Sequence, residues 1–344
     1  MTAIGLVLQG GGALGAYEYG AVTSLCEAGL TPVAITGVSI GAINAAAIAG
    51  ARKGDIPASL KKLWSEITIR QVPFLLQELQ ETLSMFGTPN FYTLRTDFYN
   101  ALNWTSLCDV APMRATLARL CDFEQINNTK HMRFTVTATH VAAGTSARFS
   151  NTETTITPDH ILASGSLPPG FPMTKIGDDW FWDGGLFDNT PMRPMIDLLT
   201  PEEADWLPIV TIDLFPTHDA VPTNLTEIKN RMMEISFENR FWDDFGGPDG
   251  LIEHARMIDD LDKELPPTSK LRTRQAFRRL LEFRCLKNLK VIPSPHVPMT
   301  GGMDFSEAGI TARFERGFDA ANRFLSSDAG KSLLSQPRAL KRAG

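Results

Sequence analysis

The sequence is short of most features that mark specialised protein classes. Its four cysteines, Cys26, Cys108, Cys121 and Cys285, include no C-x-x-C pair, so neither a zinc ribbon nor a disulfide framework is indicated. They read as buried or incidental thiols of a reducing compartment. Excess positive charge is missing too: the net charge of -6 and pI near 5.6 argue against a nucleic-acid binder. No basic stretch followed by a cleavage site precedes the first apolar run, so no signal peptide is expected. The apolar stretch 33–51 is broken by Gly37, Ser39, Gly41 and Asn44, which excludes a membrane span there. No repeat of solenoid period is present. With 43% hydrophobic and 21% charged residues over 344 positions, the chain reads as a soluble globular protein with a substantial core, expected in the cytoplasm.

What is present centres on Ile35-Thr36-Gly37-Val38-Ser39-Ile40-Gly41-Ala42. A partly β-branched run, Val33 to Val38, meets an alanine-rich run, Ala42 to Ala51, which predicts a strand, a very tight turn and a helix. Gly37 and Gly41 flank Ser39 in the pattern G-x-S-x-G, the nucleophile elbow. A serine thrust out on such a turn needs neighbours without a Cβ two residues away on either side. The following helix would aim its N-terminal N–H groups at the hydroxyl.

A second strand, glycine turn and helix precede this one: residues 4–9, then Gly10-Gly11-Gly12-Ala13-Leu14-Gly15, then a helical pattern over 16–28. The glycines match the dinucleotide fingerprint, but no carboxylate ends the next strand, and no Gly-Lys-Ser/Thr makes a P-loop. Consecutive glycine N–H groups can instead converge on a developing oxyanion; the plainer reading is a glycine turn for close packing. Further on, 57–120 carries a helical, amphipathic pattern, with 86–104 aromatic and hard to assign. If exposed, 74–91 would be the first candidate for touching a lipid surface. Arg133 to Ala142 alternates as a strand with 146–150 as its partner, and His140 within it reads as structural. The rigid loop Ala163 to Pro172 leads to Asp179-Trp180-Phe181-Trp182-Asp183-Gly184-Gly185. Asp183 leaves a strand into a Gly-Gly turn and could project a carboxylate into a site, although Asp-Gly is also a common turn. Leu207 to Leu214 reads as a buried strand. After it come charged helical segments at 224–242, 250–264 and 271–284, a short strand at 288–293, a helix at 306–326 and a frayed end from Ser326. The basic run from Lys270 to Lys290 reads as a solvated face, with an anionic membrane or substrate surface as the alternative.

Taken together, Gly10-Gly11-Gly12-Ala13-Leu14-Gly15, Gly37-Val38-Ser39-Ile40-Gly41, the Ser-Leu-Pro-Pro-x-Phe-Pro loop and Asp183-Gly184-Gly185 resemble the patatin-like phospholipase family over residues 4–215. The resemblance implies a three-layer α/β/α fold with a mostly parallel central sheet over 1–215, followed by a helical C-terminal extension over 216–344. It implies a Ser39–Asp183 dyad, an oxyanion hole from the backbone of Gly10, Gly11 and Gly12, no metal or cofactor, and hydrolysis of a lipid or other acyl ester with peripheral lipid contact. Leu14 stands where many members carry Arg or Lys, which weakens any inference of an anionic headgroup site. Three other readings compete: an α/β-hydrolase with a Ser-Asp-His triad using His218, His254 or His296, an esterase of an intracellular polyester, and a non-catalytic lipid-binding protein.

Overall fold

The computed structural model describes residues 1–70, 87–216, 221–238, 241–295 and 299–335. Alternation of apolar side chains builds its centre. On β1 (Thr2–Leu8), Leu6 and Leu8 face one layer and Val7 the other; on β2 (Leu30–Gly37), Ile35 and Ala34 divide in the same way. One layer holds α1 (Gly15–Glu27), α2 (Ile40–Ala49) and α3 (Ile56–Ile67); the other holds the helices Met192–Leu198 and Pro248–Glu264. A mostly parallel sheet with helices on both faces results, the expected α/β/α architecture.

The sheet order is β11-β10-β1-β2-β6-β9-β8, where β6 is Arg133–His140, β8 Thr174–Ile176, β9 Asp179–Asp183, β10 Ile209–Asp213 and β11 Leu289–Pro293; β7 (Thr145–Ser150) also pairs with β6. From β11 through β6 the strands are parallel, while β7, β8 and β9 join antiparallel. Strand β6 sets the geometry of the whole molecule. Hairpin partner β7 occupies one edge of β6 along Thr135–His140. Both β2 and β9 overlap that span, so both must lie on the opposite edge. There β2 runs parallel and ends with Gly37 opposite Val136, while β9 runs antiparallel and ends with Asp183 opposite Ala138. The two strands therefore meet end to end across Thr137, and the residues that leave them, Val38-Ser39 and Gly184-Gly185, turn out at one place.

Four expectations change. Residues 57–120 are not helical throughout: α3 ends at Ile67 and a helix spans Ala111–Leu120, with a small antiparallel sheet between them formed by β3 (Gly87–Thr88), β4 (Tyr92–Leu94) and β5 (Cys108–Asp109). Phe91 is buried, which removes it from any lipid-facing surface; 74–86 lie outside the described residues. The end is not frayed from Ser326, because Ser327 caps a helix at Asp328–Ser335 whose Leu333 is buried. Within the basic run, Arg272 and Arg284 pair with Asp262 at 2.6 and 3.1 Å, and Lys287 pairs with Asp259 at 2.8 Å, so these three are engaged inside the fold. The helix Glu307–Ser326 packs along α1, with Gly20 and Gly317 allowing backbone contact where they cross. Among the described residues no helix is long and apolar enough to cross a membrane.

Candidate active site

Ser39 sits between β2 and α2 with φ 54° and ψ -124°, a conformation that costs a non-glycine residue about 1–3 kcal/mol. The surroundings impose it. A Cβ on Gly37 would stand 2.4 Å from the Gly41 carbonyl oxygen, and one on Gly41 would stand 2.5 Å from the Gln9 oxygen and 2.6 Å from the Leu8 oxygen. Both glycines are therefore required by close backbone approach, as the G-x-S-x-G spacing implies. Gly41→Ala is expected to lower stability by about 3 kcal/mol or more, because the obstructing atoms belong to the central strand and cannot move aside. Thermal unfolding checks this; an unchanged midpoint would contradict it.

Asp183 is 1% exposed at the end of β9. Its carboxylate accepts the Gly185 N–H at 2.7 Å, and the nearby Ser39 side chain favours its charged form. Burial pushes its pKa up to about 7, against the opposing pull of those two groups. The group can thus exchange a proton near neutrality, and it lies close to Ser39.

One loop holds both residues by their backbones. The Ser39 N–H donates to the carbonyl oxygen and the Oγ of Ser164 at 3.1 and 3.0 Å, and the Asp183 N–H donates to the Ser166 carbonyl oxygen at 3.0 Å. The sequence marked this loop as shaped, and Ser166 opens its Ser-Leu-Pro-Pro-x-Phe-Pro motif, but backbone contacts of this kind leave no pattern in the residue types.

The glycine loop lies beside Ser39: a Cβ on Gly10 would be 2.9 Å from the serine Cβ. Its three N–H groups are not equivalent. Gly10 donates to Asn189 Oδ1 at 3.1 Å, and Asn189 Nδ2 donates to the carbonyl oxygens of Gly10 and Phe237 at 3.4 and 3.0 Å. Among the described residues, the N–H groups of Gly11, Gly12 and Ile40 have no acceptor, and these residues line a cavity together with Ser39. Ile40 opens α2, so its N–H carries the positive end of the helix dipole. Asn189 and Ile40 were not singled out in the sequence; the only signal for either was its position, six residues after Asp183 and one after Ser39.

The cavity and its opening together span about 830 Å³, open solvent included. Its walls come from α2, the small sheet, the helix Ala111–Leu120 and the loop before β8. Met233 and Met303 close it from the C-terminal part of the chain. Among the described residues, no lining side chain is charged. Leu14 is buried, so its difference from Arg or Lys removes no backbone donor.

No described histidine lines this cavity. His254 lies on the helix Pro248–Glu264 with Nδ1 against the Gly250 oxygen and its ring on Phe245. His140 pairs with Asp179 at 3.2 Å. His218 and His296 lie outside the described residues. Among the described residues no cluster of His, Cys, Asp and Glu could hold a metal ion.

The crystal structure of VipD from Legionella pneumophila is similar at a TM-score of 0.42 with 18% identity, over 94% of this chain and 66% of that one, so the chain spans less than two thirds of VipD. No curated protein matches the sequence. The model of the patatin-like phospholipase family matches residues 6–196, more than half of the chain. The chain belongs to the patatin-like phospholipase family.

Proposed function

We propose that the protein is a serine hydrolase that cleaves carboxylic esters of lipids, with Ser39 as nucleophile and Asp183 as its base. The observation that carries this reading is a strained Ser39, beside the buried Asp183 carboxyl, lining an apolar cavity. Attack of Ser39 Oγ on the ester carbonyl carbon passes its proton to Asp183. The N–H groups of Gly11, Gly12 and Ile40 take the oxyanion, each worth about 3 kcal/mol by analogy with other acyl transfer. Gly10, engaged by Asn189, holds the loop instead of donating. Collapse breaks the ester C–O bond and the alcohol leaves with the proton from Asp183. Water then attacks the acyl-Ser39, giving its proton to Asp183, which returns one to Ser39 Oγ as the acid departs.

An uncharged cavity fits a hydrocarbon acyl chain better than a polyester, whose repeating ester groups would be buried without partners at a cost of about 1–3 kcal/mol each. A series of p-nitrophenyl esters of increasing chain length tests this. The expected result is a preference for longer apolar chains. Met113→Trp narrows the cavity wall and is expected to lower kcat/KM at least about tenfold for long chains while sparing acetate and butyrate esters. An equal loss at every length, or preferential turnover of hydroxyalkanoate oligomers by the unaltered protein, would overturn the substrate assignment.

A further inference from the structure

Behind the glycine loop, on the side away from the cavity, α1 carries a carboxyl that the chemistry above does not use. Glu18 is 0% exposed, and its surroundings offer it no cation: the groups that act on it are the Gln9 amide and Asn44. Oε1 accepts the Gln9 N–H at 2.7 Å, one residue before Gly10. Oε2 accepts from Asn44 Nδ2 at 2.9 Å, on α2 five residues after Ser39. Asn44 Nδ2 also donates to the Gly15 oxygen at 3.0 Å, and its Oδ1 accepts the Trp64 Nε1–H at 2.9 Å, which fixes the orientation of the amide. The Gln9 side chain extends the link: Nε2 donates to Thr190 Oγ1 and Oε1 accepts the Leu214 N–H, both at 2.7 Å.

We infer that Glu18 is a positioning residue that fixes the glycine loop relative to the nucleophile helix, so that the Gly11 and Gly12 N–H groups converge with Ile40 on one point beside Ser39. The inference rests on the reading of those groups as the oxyanion site. An uncompensated buried carboxyl is a costly choice for a link that only packs, and burial pushes its pKa up to about 8. What an ionised carboxyl supplies here is an acceptor on both oxygens, and both of its partners are donors. Glutamine has the same shape but only one acceptor. Its NH2 must face either the Gln9 N–H or the Asn44 NH2, and Asn44 cannot turn over without losing Trp64 and Gly15. One end of the link then opens, while the fold keeps its shape.

The test is Glu18→Gln, with kcat and KM on p-nitrophenyl butyrate normalised to sites titrated by a fluorophosphonate. The expected result is a fall in kcat of about 10- to 100-fold, the scale of an ångström-size misplacement, with KM changed less than about threefold. Adding Asn44→Asp supplies an acceptor opposite the glutamine NH2 and is expected to restore a measurable part of kcat. If Glu18→Gln does not fold, Asn44→Ala, which cuts only the arm to α2, is read by the same criteria. Unchanged kcat per titrated site overturns the inference. So does a loss explained wholly by fewer titratable sites, or one divided equally between kcat and KM. Failure of the unaltered protein to hydrolyse the ester or take up the phosphonate is a distinct result that overturns the proposed function itself.

Discussion

Ser39→Ala is expected to abolish ester hydrolysis, with a loss of about 10⁴-fold or more in kcat, because removing the nucleophile leaves only binding and oxyanion stabilisation. The fold should survive. Ser39 holds φ at 54°, and alanine tolerates that region no better, so the backbone strain remains. What changes is Asp183, which loses the nearby Ser39 hydroxyl while keeping the Gly185 N–H at 2.7 Å. Its carboxyl should therefore become harder to ionise. Measuring turnover of p-nitrophenyl butyrate beside the thermal midpoint separates the two effects. Retained turnover at a normal midpoint would move the chemistry to another residue.

Asp183→Asn carries the second large effect, and its sign depends on pH. As base, Asp183 must be ionised, so kcat/KM of the unaltered protein should rise with pH through one limb near 7 and then level. Asparagine cannot take the proton, and a loss of about 10⁴-fold is expected at every pH. Stability moves the opposite way. The folded pKa of about 7 exceeds the unfolded value near ~3.9, so the native state keeps a proton that the unfolded chain releases as pH rises from about 4 to 7. Stability is therefore lost over that window, and above it the fold carries a buried charge. Asp183→Asn removes this penalty and should be more stable than the unaltered protein at pH 8, by on the order of 2–4 kcal/mol, with the difference vanishing near pH 4. Chemical denaturation at the two pH values checks it. Equal stability at pH 8 would mean that Asp183 is not held neutral by burial.

These effects follow from features that were unevenly legible in the sequence. Gly37 and Gly41 could be read because a close backbone approach leaves a rigid requirement at fixed spacing. Strands β1 and β2 and helices α1 and α2 followed from continuous apolar runs punctuated by those glycines. Asp183 could be suspected as a carboxylate leaving a strand. That it comes close to Ser39 depends on β2 and β9, segments about 150 residues apart, sharing one edge of β6, an arrangement with no local signature. Asn189, Ser164 and Ser166 act through long-range hydrogen bonds to the site, which no periodicity announces. For the same reason Gly10, Gly11 and Gly12 looked equivalent, although Asn189 takes the first of their N–H groups. The small sheet over 87–109 was missed because its strands span two or three residues, too short for alternation to register. The helix Asp328–Ser335 was missed because its anchor is one buried leucine, and residues 336–344 lie outside the described part.

The most direct measurement of the central claim, a nucleophilic Ser39 activated by Asp183, is the site and pH dependence of labelling by a fluorophosphonate. Intact mass should show one adduct per chain, and peptide mapping should place it on Ser39. The labelling rate should rise with pH through about 7 and collapse in Asp183→Asn. An unlabelled protein, an adduct on another residue, or undiminished labelling of Asp183→Asn would contradict it.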